Sequence, residues 1–315
     1  AAATGKAGGL DGKLAHVGGA LARVTALGPY LFTLPAIGFV GYFLVYPAFQ
    51  TFQLSFTEWN GVAEPVWVGV RNYIKLASDP YFVSSFLRTV LWAIAGLIGP
   101  LSLGMFLAVV TSRLPLGRLL KSAYYAPLLI SSVTTGVIWT LVYTPADGLL
   151  TTLFQLIDPG NRGPRWLVDI PWNTISLMIA HTWQTTGSNM VLFLLGLSSL
   201  PPQAIEAAKI EGANEWQVFW NVTLPLLRPI TVVAVGQSLV NTFKVFDIIW
   251  VMTQGGPYRS SETLAVTMYR ESFVHFNMGY GAAVAMVLTL IVLVVSGPYL
   301  WSTLRRDMGY EGGNR

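Results

Sequence analysis

The sequence predicts an all-α membrane protein with six transmembrane helices and with both termini in the cytoplasm. Composition gives the first indication, because 53% of the 315 residues are hydrophobic and only 11% are charged, whereas about 25% of residues are charged in an ordinary soluble domain. The second indication is that six apolar segments reach the roughly 20 residues that a helix needs to cross a bilayer. The third is the uneven distribution of Lys and Arg between the connections, which orients membrane helices.

The apolar segments give the bounds of the predicted spans. We expect spans at residues 29–49, 84–110, 118–143, 173–199, 228–253 and 279–303. The first span begins well inside the chain, is long and is not followed by a small-residue cleavage site, so we expect it to stay as a helix rather than be removed as a signal peptide. Every span contains Gly or Pro, which membrane helices tolerate because neighbouring helices satisfy the released backbone groups.

Basic residues concentrate near the two ends of the chain and in one short link. These segments are residues 1–28, 111–121 and 305–315. The connections on the opposite side mix fewer basic residues with acidic ones. The positive-inside rule therefore places both termini, and the connection between the fourth and fifth spans, in the cytoplasm. The predicted parts are a cytoplasmic segment at 1–28, a transmembrane domain at 29–305 and a cytoplasmic tail at 306–315.

The sequence also argues against several kinds of site. A net charge of +4 with scattered basic residues does not predict a nucleic-acid partner. The chain contains no cysteine, and His16, His181 and His275 do not group with acidic residues at metal-ligand spacing, so we expect no metal site. The phosphate-binding pattern G-x-x-x-x-G-K-[ST] is absent, since Gly12-Lys13 is followed by Leu14. We therefore expect no cofactor in this chain and no ATP hydrolysis by it.

A polar segment between the fourth and fifth spans predicts a cytoplasmic helix over about 203–220. Pro201 and Pro202 suit the start of a helix, and Pro225 is expected to end it. The segment combines small residues with aromatic residues at helical spacing, which suits a helix held by a partner protein. An amphipathic helix lying on the lipid interface would have the same composition, so composition alone leaves both interpretations open.

The spacing within this segment favours the partner protein. Glu206-Ala207-Ala208, three residues, Gly212, nine residues, Val222, one residue and Leu224-Pro225 resemble the EAA motif of bacterial ABC importer permeases, with Val where Ile is usual. In that family the segment is a coupling helix that sits in a cleft of the ATPase subunit. The resemblance implies that Glu206 makes a polar contact with the ATPase and that Gly212 permits a turn and close approach.

Further stretches resemble the carbohydrate-uptake branch of that family, and are similar to the first permease of the maltose system. They are FQLSFTEWNG at 52–61, VGVRNY at 68–73, FKVFDIIWVMTQGGP at 243–257 and GYGAAVAM at 279–286. The resemblance implies a type I ABC importer transmembrane domain in the bacterial cytoplasmic membrane, in contact with lipid. It also implies a second permease subunit, two ATPase subunits that use ATP and Mg, and an external solute-binding protein.

Polar residues on two apolar spans predict the transport path. Such residues are costly in lipid and normally face the bundle interior or a water-filled cavity. They form one helical stripe on the fourth span and a second stripe, with Thr242 beside it, on the fifth. The first stripe is His181, Gln184, Thr185, Ser188 and Asn189, and the second is Gln237, Ser238, Asn241 and Lys244. The alternative for any single residue is a hydrogen bond between helices. For the two stripes together we favour a cavity, because amides and hydroxyls both donate and accept as sugar hydroxyls require.

The resemblance to the maltose permease adds Ser132 to this path. Ser132 and several stripe residues fall at or near positions that contact sugar in that permease. These are Gln184, Thr185, Ser188, Thr242 and Lys244, together with Val245. Val245 stands where that permease has an amide, so the comparison favours a di- or oligosaccharide or another polyol rather than maltose itself.

Two alternatives concern the cargo and the energy source. A phosphorylated polyol such as glycerol phosphate would require lasting positive charge in the path, and we expect Asp247 to neutralise Lys244 because residues three apart meet on a helix. An ion-driven secondary carrier would require paired acids within the membrane and inverted repeats, neither of which the sequence contains. A receptor or scaffold would leave the EAA spacing unexplained.

Overall fold

The computed structural model describes residues 33–114, 117–160 and 163–311. The predicted N-terminal segment 1–28, the start of the first span and the last four residues lie outside the described residues. The chain divides into two units, and the first, which ends at Leu54, contains helix α1 at Thr33–Leu54. This helix includes one π-helical stretch at Gly41–Val45.

The second unit begins with a small hairpin. Strands β1 (Thr57–Glu58) and β2 (Val66–Trp67) pair antiparallel, and helix α2 (Arg71–Ser78) follows. Helix α3 (Pro80–Arg113) begins with Pro80, in the first turn, where a backbone N–H would have no acceptor within the helix. The side chain of Asp79 accepts a hydrogen bond from the Tyr81 amide and so caps the helix. α3 contains the predicted second span, and its apolar part is 33 residues long, from Pro80 to Ser112.

The predicted span 118–143 is a pair of helices instead of one. Helix α4 (Gly117–Tyr125) runs into a 3-10 turn (Ala126–Leu129), and helix α5 (Ser132–Val142) then leaves at 106°. The break has a local cause. Ile130 is extended after the proline-containing turn, and Ser131 caps α5 by accepting from the Thr134 amide.

Helix α6 (Leu149–Ile157) and the long helix α7 (Trp172–Ser198) follow. α7 corresponds to the predicted fourth span and packs closely against α3. A Cβ atom at Gly104 of α3 would lie 2.7 Å from the Cβ of Asn189 and 2.9 Å from the Met190 amide nitrogen. Glycine is therefore required at this crossing.

The polar connection and the predicted span 228–253 are each divided. Helices α8 (Pro202–Ile210) and α9 (Glu215–Leu226) replace the single helix expected over 203–220. Helix α10 (Arg228–Phe243) ends at Lys244, and helix α11 (Asp247–Thr253) begins only after Phe246, whose φ of −135° and ψ of −58° are not helical. The fifth span is thus interrupted at 244–246.

The remaining elements are helix α12 (Leu264–Tyr269), a π-helical turn (Arg270–Val274) and helix α13 (Met278–Glu311). Within the described ranges, three helices are long and apolar enough to cross a membrane: α1, α3 and α13. The number rises to six if each of three bent pairs counts as one span. α13 continues beyond residue 303, where the sixth span was expected to end.

Candidate transport path and coupling segment

A cavity of about 390 Å³ lies where α5, α7, α10 and α11 meet. The two breaks in the predicted spans form part of its wall: Ile130 and Ser131 come from the first, and Lys244 to Phe246 from the second. Five of the predicted path residues line it beside Lys244. These are Ser132, His181, Gln184, Thr185 and Asn241.

A second cavity, of about 30 Å³, adjoins the first. His181, Thr185 and Asn241 line both cavities. The remaining predicted path residues line the smaller one, and they are Ser188, Asn189, Gln237, Ser238 and Thr242. The structure therefore brings all eleven predicted path residues to one pair of neighbouring cavities, with Gly96 and Pro100 of α3 completing the wall of the smaller one.

Hydrogen bonds divide the lining residues into two groups. The hydroxyls of Thr185 and Thr242 donate within their own helices, to His181 O at 2.8 Å and Ser238 O at 2.7 Å. Their oxygen lone pairs remain to accept a further bond. Gln184 Nε2 instead donates to Ile130 O at 3.0 Å and ties α7 to the break before α5. Gln184 thus serves as a bond between segments and as part of the cavity wall.

Asn241, Gln237 and Lys244 differ from this group because they are exposed. Among the described residues, Asn241 has no side-chain hydrogen bond with another residue, so both ends of its amide are available in the cavities. Gln237 lines only the smaller cavity, whereas Asn241 lines both, so Asn241 presents an available amide to the whole of the paired cavities.

The structure does not place Lys244 and Asp247 on one helix, as the predicted neutralisation assumed. Lys244 caps the end of α10 after its last residue, Phe243, and Asp247 begins α11, so the two residues do not share one helix and their three-residue spacing does not form an ion pair. Within the described part of the chain, no ion pair joins them. Both nevertheless line the larger cavity, so its walls carry one formal charge of each sign.

Sequence reasoning missed the residues of the break before α5. Leu128, Ile130 and Ser131 line the larger cavity, but hydropathy does not distinguish them from the interior of a continuous helix. Pro127 was the available signal, because the residue before a proline tends to leave the helical conformation. Two aromatic residues near the second break differ in position, because Phe246 lines the cavity, whereas Phe243 is buried in the core.

The segment between α7 and α10 is a helix–turn–helix. Gly212 has a φ of +87°, which favours glycine strongly. Its amide donates to Lys209 O and the Ala213 amide donates to Ala208 O, at 3.1 and 3.0 Å, which is the bonding pattern of a Schellman C-cap. The turn predicted at Gly212 is therefore present.

Helix α9 starts with a reciprocal cap. The Asn214 side chain accepts from the Gln217 amide and the Gln217 side chain accepts from the Asn214 amide, at 2.9 and 2.8 Å, which satisfies two helix-end donors at once. Lys209 Nζ lies 2.6 Å from Glu215 Oε1 and joins α8 to α9. Both ends of the turn are thus fixed by hydrogen bonds.

Several side chains of this helix–turn–helix are exposed. Glu206 and Ala207 are exposed, and Ile210 and Trp216 are 87% and 70% exposed. Pro225 does not end the helix as expected, because α9 continues through Leu224 to Leu226 before the chain bends by 70° into α10. The predicted coupling residues Ala208 and Leu224 are half-buried along the same segment.

A family model described as "binding-protein-dependent transport system inner membrane component" matches residues 100–307. The chain belongs to this family. It is thus an inner-membrane transport component rather than an enzyme. The matched region contains the helix–turn–helix, every residue that lines the larger cavity and all but Gly96 of those that line the smaller one.

Relatives of this inner membrane component align with it over nearly the whole chain. A probable ABC transporter permease protein of Pyrococcus horikoshii is 35% identical over 87% of this chain and 96% of its own length. A probable starch degradation products transport system permease protein of Thermoanaerobacterium thermosulfurigenes is 31% identical over 89% of this chain and 94% of its own. Both relatives are described as permease proteins.

The fold has a counterpart among solved structures. A bacterial ABC transporter involved in the import of the acidic polysaccharide alginate contains a chain that aligns with a TM-score of 0.80. The alignment covers 92% of this chain and 99% of the other, at 20% sequence identity. The fold of this inner membrane component is accordingly that of a type I ABC importer transmembrane domain.

Proposed function

We propose that this chain is the permease subunit of an ATP-driven importer that moves a di- or oligosaccharide through the membrane by alternating access. The observation that carries the proposal is the convergence of eleven predicted path residues on two adjoining cavities between α7 and α10. The relative described as a permease for starch degradation products supports a carbohydrate cargo.

The chemistry of the larger cavity favours an uncharged polyol. Its volume of about 390 Å³ is within the usual range for small-molecule sites. Its amides and hydroxyls both donate and accept hydrogen bonds, and the formal charges of Lys244 and Asp247 cancel. A phosphorylated polyol would need an excess of positive charge that these walls do not provide.

The proposal includes the other parts of the importer. A second permease subunit completes the pathway, an external solute-binding protein delivers the sugar, and two ATPase subunits use ATP and Mg. Glu206 and Gly212 lie in the helix–turn–helix that we propose as the ATPase contact. We count the crossings as α1, α3, α4 with α5, α7, α10 with α11, and α13, which gives six crossings with both termini in the cytoplasm and leaves α8 and α9 outside the bilayer.

The proposed topology predicts opposite labelling of two introduced cysteines. The natural chain has no cysteine, so single-cysteine variants give an unambiguous signal. Glu211→Cys, at the exposed turn after α8, should react with a membrane-impermeant maleimide only after permeabilisation. Tyr258→Cys, at a side chain that is 95% exposed, should react in intact spheroplasts. The reverse pattern would invert the proposed orientation.

The proposed path predicts a loss of apparent sugar affinity in Asn241→Ala. Loss of one hydrogen bond to substrate is worth about 0.5–1.5 kcal/mol, which corresponds to several-fold weaker binding. The measurement is the sugar concentration dependence of uptake, with complex stability determined in parallel. Gln184→Ala should also lower affinity, but with a loss of thermal stability because it removes the bond to Ile130.

Thr231→Ala is the matched control for this experiment. Thr231 lies on the same helix as Asn241, and its hydroxyl donates to Leu227 O at 3.0 Å outside either cavity. We expect it to leave the sugar dependence unchanged. An unchanged dependence in Asn241→Ala as well would remove this face of α10 from the path.

A further inference from the structure

The motifs FQLSFTEWNG and VGVRNY form part of a third pocket, which is separate from the two cavities of the proposed path. The pocket has a volume of about 500 Å³ and lies between the β1–β2 hairpin, α2 and the start of α13. Both motifs precede the region matched by the family model. Its lining includes Trp59, Arg71, Lys75, Asn277 and Tyr280.

Hydrogen bonds from motif residues hold the pocket in shape. The buried Asn72 side chain donates to the carbonyls of Ser55 and Thr57, at 2.9 Å each. Asn60 Oδ1 accepts from the amides of Val62 and Ala63, which is the geometry of an Asx turn. The Gly279 amide donates to Trp59 O at 3.3 Å and joins the hairpin to α13. The pocket is therefore preformed, which lowers the entropy cost of binding a partner.

The available charge in this pocket is positive. Lys75 Nζ lies 4.5 Å from the centre of the Tyr280 ring, and among the described residues no carboxylate lies within ion-pair distance of it. Glu58 also lines the pocket and lies 3.5 Å from Arg71, at a site where both side chains are about three-quarters exposed. Glu58 and Arg71 together contribute no net charge, so the formal charge of the lining is the +1 of Lys75.

The nearest other carboxylates already have partners. Asp79 Oδ2 accepts from the Tyr280 hydroxyl at 2.6 Å, and Glu271 contacts Asn277 and His275, each at 3.2 Å. Neither acid lines the pocket. Lys75 is thus a cation held by an aromatic ring and left without an anionic partner.

Exposed apolar side chains lie on the same elements as this cation. Val62 and Trp67 on the hairpin, Ile74 on α2 and Phe276 before α13 are all more than half exposed. Apolar and aromatic side chains around a polar centre are typical of protein interaction sites. Glu58 and Glu64 on the same hairpin disfavour an anionic lipid surface as the occupant.

We propose that this pocket docks an acidic side chain of the external solute-binding protein, with Lys75 as its cationic partner. The inference rests on the proposed function, because it requires such a protein and places the hairpin outside the membrane. The positive pocket attracts the carboxylate, while the apolar rim covers the surrounding contact. Charge of this kind mainly changes the association rate and its salt dependence.

The test uses the complete importer in nanodiscs with its solute-binding protein. Lys75→Gln should raise the half-saturating concentration of that protein in the ATPase assay by about tenfold at low salt, with basal and maximal rates unchanged. Salt should weaken docking less in Lys75→Gln than in the natural chain, and Lys75→Arg should restore most of the affinity. The control is Arg165→Gln, which also removes one exposed cation from a proposed external connection.

Three outcomes would overturn the inference. An unchanged half-saturating concentration in Lys75→Gln would remove the pocket from docking while leaving the proposed importer intact. An effect that appears in anionic nanodiscs and disappears in phosphatidylcholine nanodiscs would assign the pocket to a lipid headgroup instead. Absence of stimulation of the natural complex by its solute-binding protein would refute the proposed function, and the docking role with it.

Discussion

Glu206→Lys and Gly212→Asp should each reduce uptake to background while leaving the permease in the membrane. Glu206 is exposed and has no hydrogen bond or ion pair from its side chain to another described residue, so its loss removes little from the chain itself. Reversal of its charge would place a cation where we propose that the ATPase binds a carboxylate, and like-charge or unpaired contacts exclude a partner strongly. Glu206→Gln should give an intermediate loss.

The Gly212 substitution acts on the turn itself. A side chain at a φ of +87° costs about 1–2 kcal/mol, and an aspartate adds charge to the proposed contact surface. No atom lies within 4 Å of the position of an added Cβ, so a clash within the chain does not explain a loss of uptake. Gly160→Asp is the matched control, because Gly160 also has a positive φ, +109°, and open space around it.

Uptake, membrane abundance and co-purification with the ATPase should be measured together. We expect Glu206→Lys and Gly212→Asp to lose both uptake and co-purification, with Gly160→Asp retaining both. Normal uptake in both coupling variants would refute the role proposed for this segment.

Glu262→Gln should produce the largest loss of stability. Glu262 is completely buried between Arg259 and Arg270, each of which forms an ion pair with it. Burial alone would lower the pKa of Arg259, but Glu262 and Glu271 together raise it above its ordinary value. Removal of one partner from a buried ion pair typically costs about 3–5 kcal/mol, and here it would leave two arginines, each only 19% exposed, without their buried carboxylate.

Thermal unfolding in detergent measures this effect. Glutamine keeps the volume of the side chain, so a fall in Tm reports the lost charge. Asp169→Asn serves as the control, because Asp169 pairs with Arg165 at an exposed site, where the ion pair holds the pKa of Asp169 below its usual value. We expect no measurable change in its Tm, since exposed pairs contribute little. Equal Tm values for the natural chain and Glu262→Gln would contradict the structural role.

The two polar stripes could be predicted because they lie on uninterrupted helices. Residues 181–189 fall within α7, and residues 237–242 fall within α10, so the 3.6-residue period places their side chains on one face of each helix. Lys244 was identified from the same period, but it stands just after the end of α10. Its position in the cavity therefore depends on the break as well as on the period.

The breaks at 130–131 and 244–246 could not be predicted from hydropathy. Both lie in apolar sequence long enough to continue as a helix, and hydropathy registers neither the local turn and cap at 126–131 nor the tertiary bond from Gln184 to Ile130 O. The predicted interaction of Lys244 with Asp247 was wrong for the same reason, because it assumed one continuous helix. The single coupling helix was also wrong, although the spacing of the motif correctly indicated the turn at Gly212.

The capped turn between α8 and α9 has a mechanical consequence. Two helices with bonded ends and a bridge from Lys209 to Glu215 form a stiff element that transmits a push instead of absorbing it. In the importer that we propose, a push from the ATPase would reach the 70° bend before α10, and the 16 residues of α10 make a lever arm of about 24 Å at 1.5 Å per residue. A tilt of about 10° at the bend therefore moves the far end of this lever, which carries Asn241 and Lys244, by about 4 Å. That displacement exceeds the length of a hydrogen bond, so a small rotation at one end of the lever is enough to release a ligand at the other.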